Sequence, residues 1–164
     1  MNTHIKEDKK ALKPMIILFK AHQSLTEFIK EDIKATGFDI NEFSVFEVIY
    51  HHEKLIVSEI KEKVLIANSS LSYILNKLLI KGLIKSEIDS NDKRIKHISL
   101  TKKGLNLALE IFPSHYDKLK EIFSELTATE VKTVSESLKK IGFAAESRLE
   151  KWNIFILIKN QMIR

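Results

Sequence analysis

The sequence predicts a mainly α-helical fold with one small β-hairpin and a long helix towards each end of the chain. Three observations predict it. Apolar residues recur every three to four positions along most of the chain, which is the period of a helix with one buried face. Glycines at 37 and 82 interrupt this pattern where helices are expected to end. After Gly82 the pattern changes to two short β-prone runs separated by turn-forming residues.

The composition fits one folded domain, and we predict a single domain over residues 1–164. The hydrophobic content of 44% is enough for a core, and the chain has no cysteine for disulfides, thiolate metal ligands or thiol switches. The apolar run from Met15 to Phe19 is too short for a signal peptide, and no run is long enough to cross a membrane. We therefore expect a cytoplasmic location and no membrane partner.

Three helices are expected before the middle of the chain. The first runs from about Lys9 to Ala35, with its start placed near Pro14 because proline fits the first turn of a helix. Its apolar residues lie on more than one side, so it needs a partner beyond its own core. The second runs from Glu42 to His51 with Asn41 as its cap, and the third from Val57 to Val64.

The fourth helix, Ala67 to Lys81, has two contrasting faces. The spacing of its apolar residues puts them on one stripe, and Gly82 is expected to end it. The opposite face carries short hydrogen-bonding groups, one tyrosine and one lysine, with no carboxylate, which suits a surface that approaches phosphates and base edges. The apolar stripe consists of Leu71, Ile74, Leu75, Leu78 and Leu79, and the candidate DNA-binding residues are Asn68, Ser69, Ser70, Ser72, Tyr73, Asn76 and Lys77.

The positive charge of the chain is concentrated around this helix. The net charge is +5, yet the segment from Lys54 to Lys103 alone holds eleven basic and five acidic residues. The rest of the chain is close to neutral. This distribution is typical of a module that binds a polyanion and is flanked by a neutral scaffold.

A β-hairpin follows, with strands over Leu83–Ile88 and Arg94–Leu100. The residues between the strands form a polar, partly basic tip. A helix, a turn, a second helix and then a hairpin make up the winged helix-turn-helix arrangement, in which the helix enters the major groove and the hairpin reaches the backbone or minor groove. The candidate DNA-binding residues of this wing are Ser90, Asn91, Asp92, Lys93 and Arg94.

Two long helices are expected to close the chain. Thr101 can cap the first, which runs to about Glu125 through Pro113, and Thr127 with Glu130 has the form of a capping box that starts the second. The tail from Trp152 to Arg164 contains five consecutive apolar residues. It could extend the last helix into a dimer interface, form an added strand or be a free terminus, and the sequence does not choose among these.

The stretch from Leu55 to Thr101 resembles the MarR family of transcriptional regulators. The specific part is Lys81-Gly82-Leu83-Ile84, then Asp92-Lys93-Arg94, then Ile98-Ser99-Leu100-Thr101 continuing to Gly104, which is similar to the K-G-L-V, D-x-R and V-x-L-T-x-x-G pattern of that family. The similarity extends over about residues 10–148.

The resemblance implies a homodimer held by its terminal helices, here 9–36 and 101–164, with a winged helix-turn-helix lobe over 40–100. It also implies that Arg94 enters the minor groove while Asp92 holds it in place. The physics agrees, because a guanidinium needs an acceptor to fix its direction and narrow minor grooves attract it. A hairpin salt bridge with no DNA role is the other interpretation of this pair.

The resemblance further implies a small-molecule effector pocket between the dimer helices and the DNA-binding lobe. The candidate lining residues are Phe19, His22, Phe46, Tyr50 and Tyr116, although a plain core role accounts better for any one of them taken singly. No cofactor and no metal site are predicted, because the six histidines show no paired-ligand spacing. No catalytic motif is present, and each of the four glycines is isolated.

The sequence therefore predicts a sequence-specific DNA-binding regulator, a repressor that binds double-stranded DNA at a pseudo-palindromic operator as a homodimer and is released by a small-molecule effector. The alternative is a winged helix used for protein contacts, without specific DNA binding. An enzyme with a winged-helix dimerisation domain is disfavoured because no residues remain for a catalytic domain. The sequence does not reveal the operator, the effector or the regulated genes.

Overall fold

A computed structural model of the chain describes residues 3–64, 66 and 68–162; within 3–11, 68–69 and 150–162 it describes the backbone alone. The helices are α1 (Thr3–Ile33), α2 (Ile40–Tyr50), α3 (Val57–Lys63), α4 (Asn68–Ile80), α5 (Lys102–Phe123) and α6 (Ala128–Met162). The strands are β1 (Leu55–Ile56), β2 (Ile84–Ile88) and β3 (Lys96–Leu100). This confirms the mainly α-helical fold with a hairpin. Every helix of the described part is too short or too polar to span a bilayer.

The described residues form two compact units, which divide between Tyr116 and Asp117. In the first unit the strands form an antiparallel sheet in the order β1-β3-β2. The core of this unit is built around aromatic rings of α2 and α5, where Phe46 and Phe112 are fully buried and stacked at 5.7 Å. Residues 40–100, from α2 to β3, are called the winged-helix lobe below.

The start of α1 differs from the prediction. The helix begins at Thr3 and Pro14 lies inside it, so the prediction that proline marks its first turn is wrong. Proline removes a single backbone donor, and a helix of 31 residues keeps its other hydrogen bonds on both sides of that position. The expected end is confirmed, since a 3-10 turn over Lys34–Thr36 leads into Gly37 at φ 70°.

The cap of α2 is Asp39 rather than Asn41. The Asp39 carboxylate accepts the backbone N–H groups of Asn41 and Glu42, both at 2.9 Å, and the Glu42 side chain accepts the N–H of Asp39 at 3.1 Å. This reciprocal capping box decides the start, because Asp39 has a glutamate three residues later while Asn41 has a serine. The Thr127–Glu130 capping box at the start of α6 is confirmed.

Strand β1 is absent from the prediction. It has two residues, and it exists because Leu55 pairs with Ile98 and Ile56 with His97 across the sheet. Two residues cannot show an alternating pattern, so only the long-range pairing reveals the strand. The tail contains no strand among the described residues, since the backbone of α6 stays helical to Met162.

Candidate nucleic-acid interface

Helix α4 presents its polar face to solvent because its apolar face is buried in the lobe. Leu71, Ile74, Leu75 and Leu78 are each at most 6% exposed, as the helical spacing predicts. Leu79 is 37% exposed and lies at the edge of the stripe. On the other face Ser72, Tyr73 and Asn76 are exposed and Ser70 is half-buried, while the Asn68 and Ser69 side chains, like Ala67, lie outside the described residues.

The end of α4 is fixed by Gly82. Its φ of 68° is left-handed, and its N–H donates to the carbonyl of Leu79 at 2.9 Å while the N–H of Leu83 donates to Leu78 at 3.0 Å. These two bonds form a Schellman motif, which satisfies carbonyls that the helix end would leave free. The turn also sets the direction in which β2 leaves the helix, so α4 and the wing are joined by a short, ordered connection.

Lys77, a predicted DNA contact, is paired with a buried acid of the lobe while its side chain stays 38% exposed. Its Nζ lies 2.6 Å from Oε1 of Glu42, whose side chain is 1% exposed, and the Nζ of Lys81 lies 3.6 Å from the same oxygen. Burial alone raises the pKa of Glu42, but the contact with Lys77, the Asp39 N–H and the charge of Lys81 together outweigh burial and lower the pKa. Glu42 is therefore a charged, buried carboxylate beneath helix α4.

The wing is organised by Asp89. Its Oδ1 accepts the backbone N–H groups of Asn91 and Asp92 at 2.8 and 3.1 Å, and its Oδ2 lies 2.9 Å from Nε2 of His97 on β3. These contacts, the one with His97 first, lower the pKa of Asp89 to about 2. A single carboxylate thus joins the turn of the hairpin to its second strand.

Arg94 is held by Asp92 in the geometry that the sequence predicts. The Nε and Nη2 of Arg94 donate to the two carboxylate oxygens of Asp92 at 3.1 and 3.0 Å, and the backbone N–H of Arg94 donates to Oδ1 at 2.9 Å. The Arg94 side chain is nevertheless 91% exposed. A paired contact of this kind fixes the direction of a guanidinium without covering it. Ser90, Asn91 and Lys93 are also exposed around it.

Three of the five predicted effector residues meet at the ring of Phe112, and the other two are exposed on α1. Phe46 is fully buried in the core, and Tyr50 and Tyr116 each stack on Phe112, at 4.8 and 5.6 Å. Phe19, 64% exposed, and His22 lie on the exposed part of α1. The hydroxyl of Tyr116 lies 2.7 Å from Nε2 of His51, and burial, with Glu47 beside it, raises the pKa of that hydroxyl.

Within the described residues, no three histidines or acids are grouped to hold a metal ion. The buried histidine among the described residues is His115, which is 5% exposed. Its Nδ1 lies 2.6 Å from Oδ2 of Asp32. This pair joins α5 to α1 inside the first unit. This buried His115–Asp32 contact is a structural one.

Sequence reasoning missed two of the residues that organise this surface. Asp89 was recognised as a turn residue, but its contact with His97 depends on the pairing of the two strands. Glu42 was placed in the first turn of a helix, and the Asp39-x-x-Glu42 pattern could have identified its capping role. Its contact with Lys77 could not have been identified, because the two residues are far apart in sequence.

Comparisons with known proteins agree with this geometry. A sequence model of the MarR family matches residues 38–96. The HTH-type transcriptional regulator MhqR of Bacillus subtilis (strain 168) is 33% identical over 138 residues, which are 84% of this chain and 95% of that protein.

Two solved structures share the fold at lower identity. A mutant of MarR from E. coli complexed with operator DNA has a TM-score of 0.67 and 22% identity, with 81% of this chain and 96% of that one covered. FabT of Streptococcus pneumoniae in complex with DNA has a TM-score of 0.69 and 18% identity, with 84% and 98% covered.

The fold, with its exposed wing carrying Lys93 and Arg94, defines a winged-helix protein. The extent of its similarity to MhqR, together with the family match, shows that the chain belongs to the MarR family. It is a DNA-binding transcriptional regulator and not an enzyme, as the sequence predicts.

Proposed function

We infer that this regulator is a repressor that binds a pseudo-palindromic operator as a homodimer. The observation that carries this proposal is the wing, where Arg94 is 91% exposed yet oriented by Asp92. An exposed arginine held in one direction is suited to a narrow minor groove, whose negative potential attracts guanidinium groups. The MarR mutant and FabT structures that share the fold were both solved with DNA, which supports the same use of this surface.

Helix α4 is proposed to read base edges in the major groove. Tyr73 is 67% exposed, and Ser72 and Asn76 are exposed beside it. Asparagine can make a paired contact with adenine, and an aromatic ring can contact a thymine methyl group. With the wing on the adjacent minor groove, one lobe covers one half-site.

The homodimer is proposed because long helices leave apolar faces uncovered in the single chain. On α1, Ile16, Ile17 and Phe19 are each more than half exposed, and on α6, Leu138 and Ile141 are 42% and 51% exposed. A second copy of the chain can cover such faces, which would otherwise stay in water. Two recognition helices held about one helical turn, ~34 Å, apart can then reach successive major grooves.

An effector remains part of the proposal. Of the five predicted pocket residues, Tyr50 lines a concavity of about 480 Å³ together with His51, His52 and Leu105. A small molecule would act by favouring a dimer geometry in which the recognition helices no longer fit the operator. The cytoplasmic location expected from the sequence likewise stays a prediction.

The first experiment is a gel-shift titration with the DNA upstream of the gene and with a random duplex of equal length, over a series of salt concentrations. We expect preference for the upstream DNA at every salt concentration, and DNase footprinting then locates the operator. Equal affinity for both duplexes throughout would favour the alternative, a winged helix used for protein contacts.

The wing is tested with Arg94→Ala. We expect affinity for the operator to fall about 10- to 100-fold, the scale of one good groove contact, while sedimentation shows an unchanged dimer. Lys140→Ala, at an exposed position of α6 outside the winged-helix lobe, is the matched control and should bind as the wild type does. Equal affinity of the wild type and Arg94→Ala would remove the wing from the mechanism.

A further inference from the structure

Glu42 is the buried acid on which this inference rests. It is fully buried, and among the described residues the other buried polar side chain is His115. Its Oε2 accepts the N–H of Asp39, which completes the cap of α2. Its Oε1 has no hydrogen-bond partner apart from the ammonium groups beside it, those of Lys77 at 2.6 Å and Lys81 at 3.6 Å.

Lys77 lies in the last turn of α4, and Lys81 directly follows the helix. Lys77 follows Asn76 directly and lies one turn after Tyr73, so any rotation of α4 that moves the ammonium of Lys77 also moves the face that carries those two residues. Lys81 lies one turn further on, with its Nζ 4.7 Å from the centre of the Phe38 ring. The carbonyl of Lys81 accepts the Nζ of Lys103 at 2.8 Å, which joins this end of α4 to α5.

Only the carboxylate of this ion pair is buried, since the Lys77 and Lys81 side chains are 38% and 33% exposed. The pair adds little net stability, because the cost of removing the Glu42 charge from water offsets the attraction. Its geometry is demanding, however, since an uncompensated buried charge is strongly unfavourable. The orientation of α4 in which Lys77 and Lys81 reach the carboxylate is therefore favoured, and it is also the one in which the stripe of Leu71, Ile74 and Leu78 is buried.

We propose that Glu42 is a positioning residue for DNA recognition, whose buried carboxylate holds Lys77 and Lys81 and thereby sets the orientation of α4 against α2 without touching DNA. Lys77 then acts as an internal support of the recognition helix and not as a phosphate contact. The inference rests on the proposed reading of operator bases by α4, and it adds that Glu42 orients this helix.

The two possible roles of Lys77 predict different effects of its loss on the salt dependence of DNA affinity. A lysine that contacts a phosphate releases counterions, so its loss weakens binding to every duplex and lowers the slope of log affinity against log salt by about one. A lysine that orients the helix contributes nothing to that slope. Its loss lowers the affinity for the operator more than the affinity for random DNA.

The experiment measures dissociation constants of the full-length protein for the operator found by footprinting and for a random duplex, over a salt series. The variants are Glu42→Gln, Lys77→Met and the double variant, with Lys77→Arg as the conservative replacement. Glutamine also serves in a capping box, so Glu42→Gln keeps the cap of α2. Lys93→Met, in the exposed wing, is the matched control for the loss of a phosphate contact.

We expect Glu42→Gln and Lys77→Met each to reduce the ratio of operator to random affinity about tenfold, with the salt slope unchanged. The double variant should be no worse than either single variant, since coupled residues are not additive, and Lys77→Arg should restore the ratio. Lys93→Met should instead weaken both duplexes alike and reduce the slope by about one.

Three results would overturn the positioning role while leaving the proposed function intact: Lys77→Met behaving as Lys93→Met does, Glu42→Gln keeping the wild-type ratio, or losses that multiply in the double variant. A wild type without any preference for the upstream DNA is a different result, since it overturns the proposed function and the positioning role together.

Discussion

The winged-helix lobe and helix α6 carry the same kind of apolar pattern, yet only the lobe buries its apolar residues within the single chain. Leu71, Ile74 and Leu78 of α4 are at most 3% exposed, while Val134, Leu138 and Ile141 of α6 are 42–51% exposed in the single chain. Helical periodicity therefore reveals which face is apolar and not what covers it. The lobe needs no further partner to cover its apolar residues, whereas the exposed apolar face of α6 is suited to contact with another chain.

The largest effect is expected where the lobe meets α5. The first turn of α5 lies so close to Leu83, the residue before β2, that a Cβ on Gly104 would fall far inside contact distance of the Leu83 carbonyl oxygen. That oxygen also accepts the N–H of Thr101 at 3.0 Å, so it has little freedom to move. We expect Gly104→Ala to lower the free energy of unfolding by about 3 kcal/mol or more, measured by urea unfolding. Wild-type stability would show that this junction can shift.

Shortening one leucine side chain in the lobe and one in α6 tests whether the two regions differ in burial within the single chain. Leu78 is fully buried in the lobe, so Leu78→Ala should cost about 2–5 kcal/mol. Leu138→Ala should cost much less within one chain and should weaken association instead.

Urea unfolding at several protein concentrations, with sedimentation, separates the two effects. The loss in Leu78→Ala should be independent of concentration, and the loss in Leu138→Ala should shrink on dilution, because association stabilises neither protein once both are single chains. Equal, concentration-independent losses would mean that the face of α6 is covered within its own chain.

A smaller effect of opposite sign is expected at Gly142. This glycine lies inside α6, and an added Cβ would have no neighbour within 4 Å. Gly142→Ala should therefore stabilise the protein by about 0.5–1 kcal/mol, because alanine is the better helix former. Thermal unfolding of this variant beside Gly104→Ala makes the comparison direct. A loss of stability at Gly142 would show that a second copy packs closely at that position.

The smallest effect is a pH dependence confined to the wing. The pKa of Asp89 is about 2 in the folded chain, below its ordinary value of 3.8. The contacts of Asp89 therefore stabilise the wing fully above about pH 4 and are lost as the pH falls towards 2. NMR spectra of the Asn91 and Asp92 amides should follow this titration in the wild type. In Asp89→Asn the titration should be missing, and its persistence would assign it to another carboxyl.

Much of the fold could be predicted because its signals are local. The Gly82 stop, the Thr127 capping box and the turn between β2 and β3 each depend on residues within a few positions of one another. The Asp92–Arg94 pair belongs to the same group, since both residues lie in one turn. At the start of α2 the prediction of Asn41 is wrong because the reciprocal capping box of Asp39 and Glu42 is the stronger local signal.

By itself the sequence determined the order of elements, the polar face of α4 and the family of the protein, because periodicity, caps and motifs are written in neighbouring residues. Tertiary structure alone decided that Leu55 and Ile56 form a strand, that Asp89 faces His97 and that Lys77 turns inward to Glu42. The physical reason is distance along the chain. A buried carboxylate takes whichever cation the fold brings to it, and no local pattern records that partner.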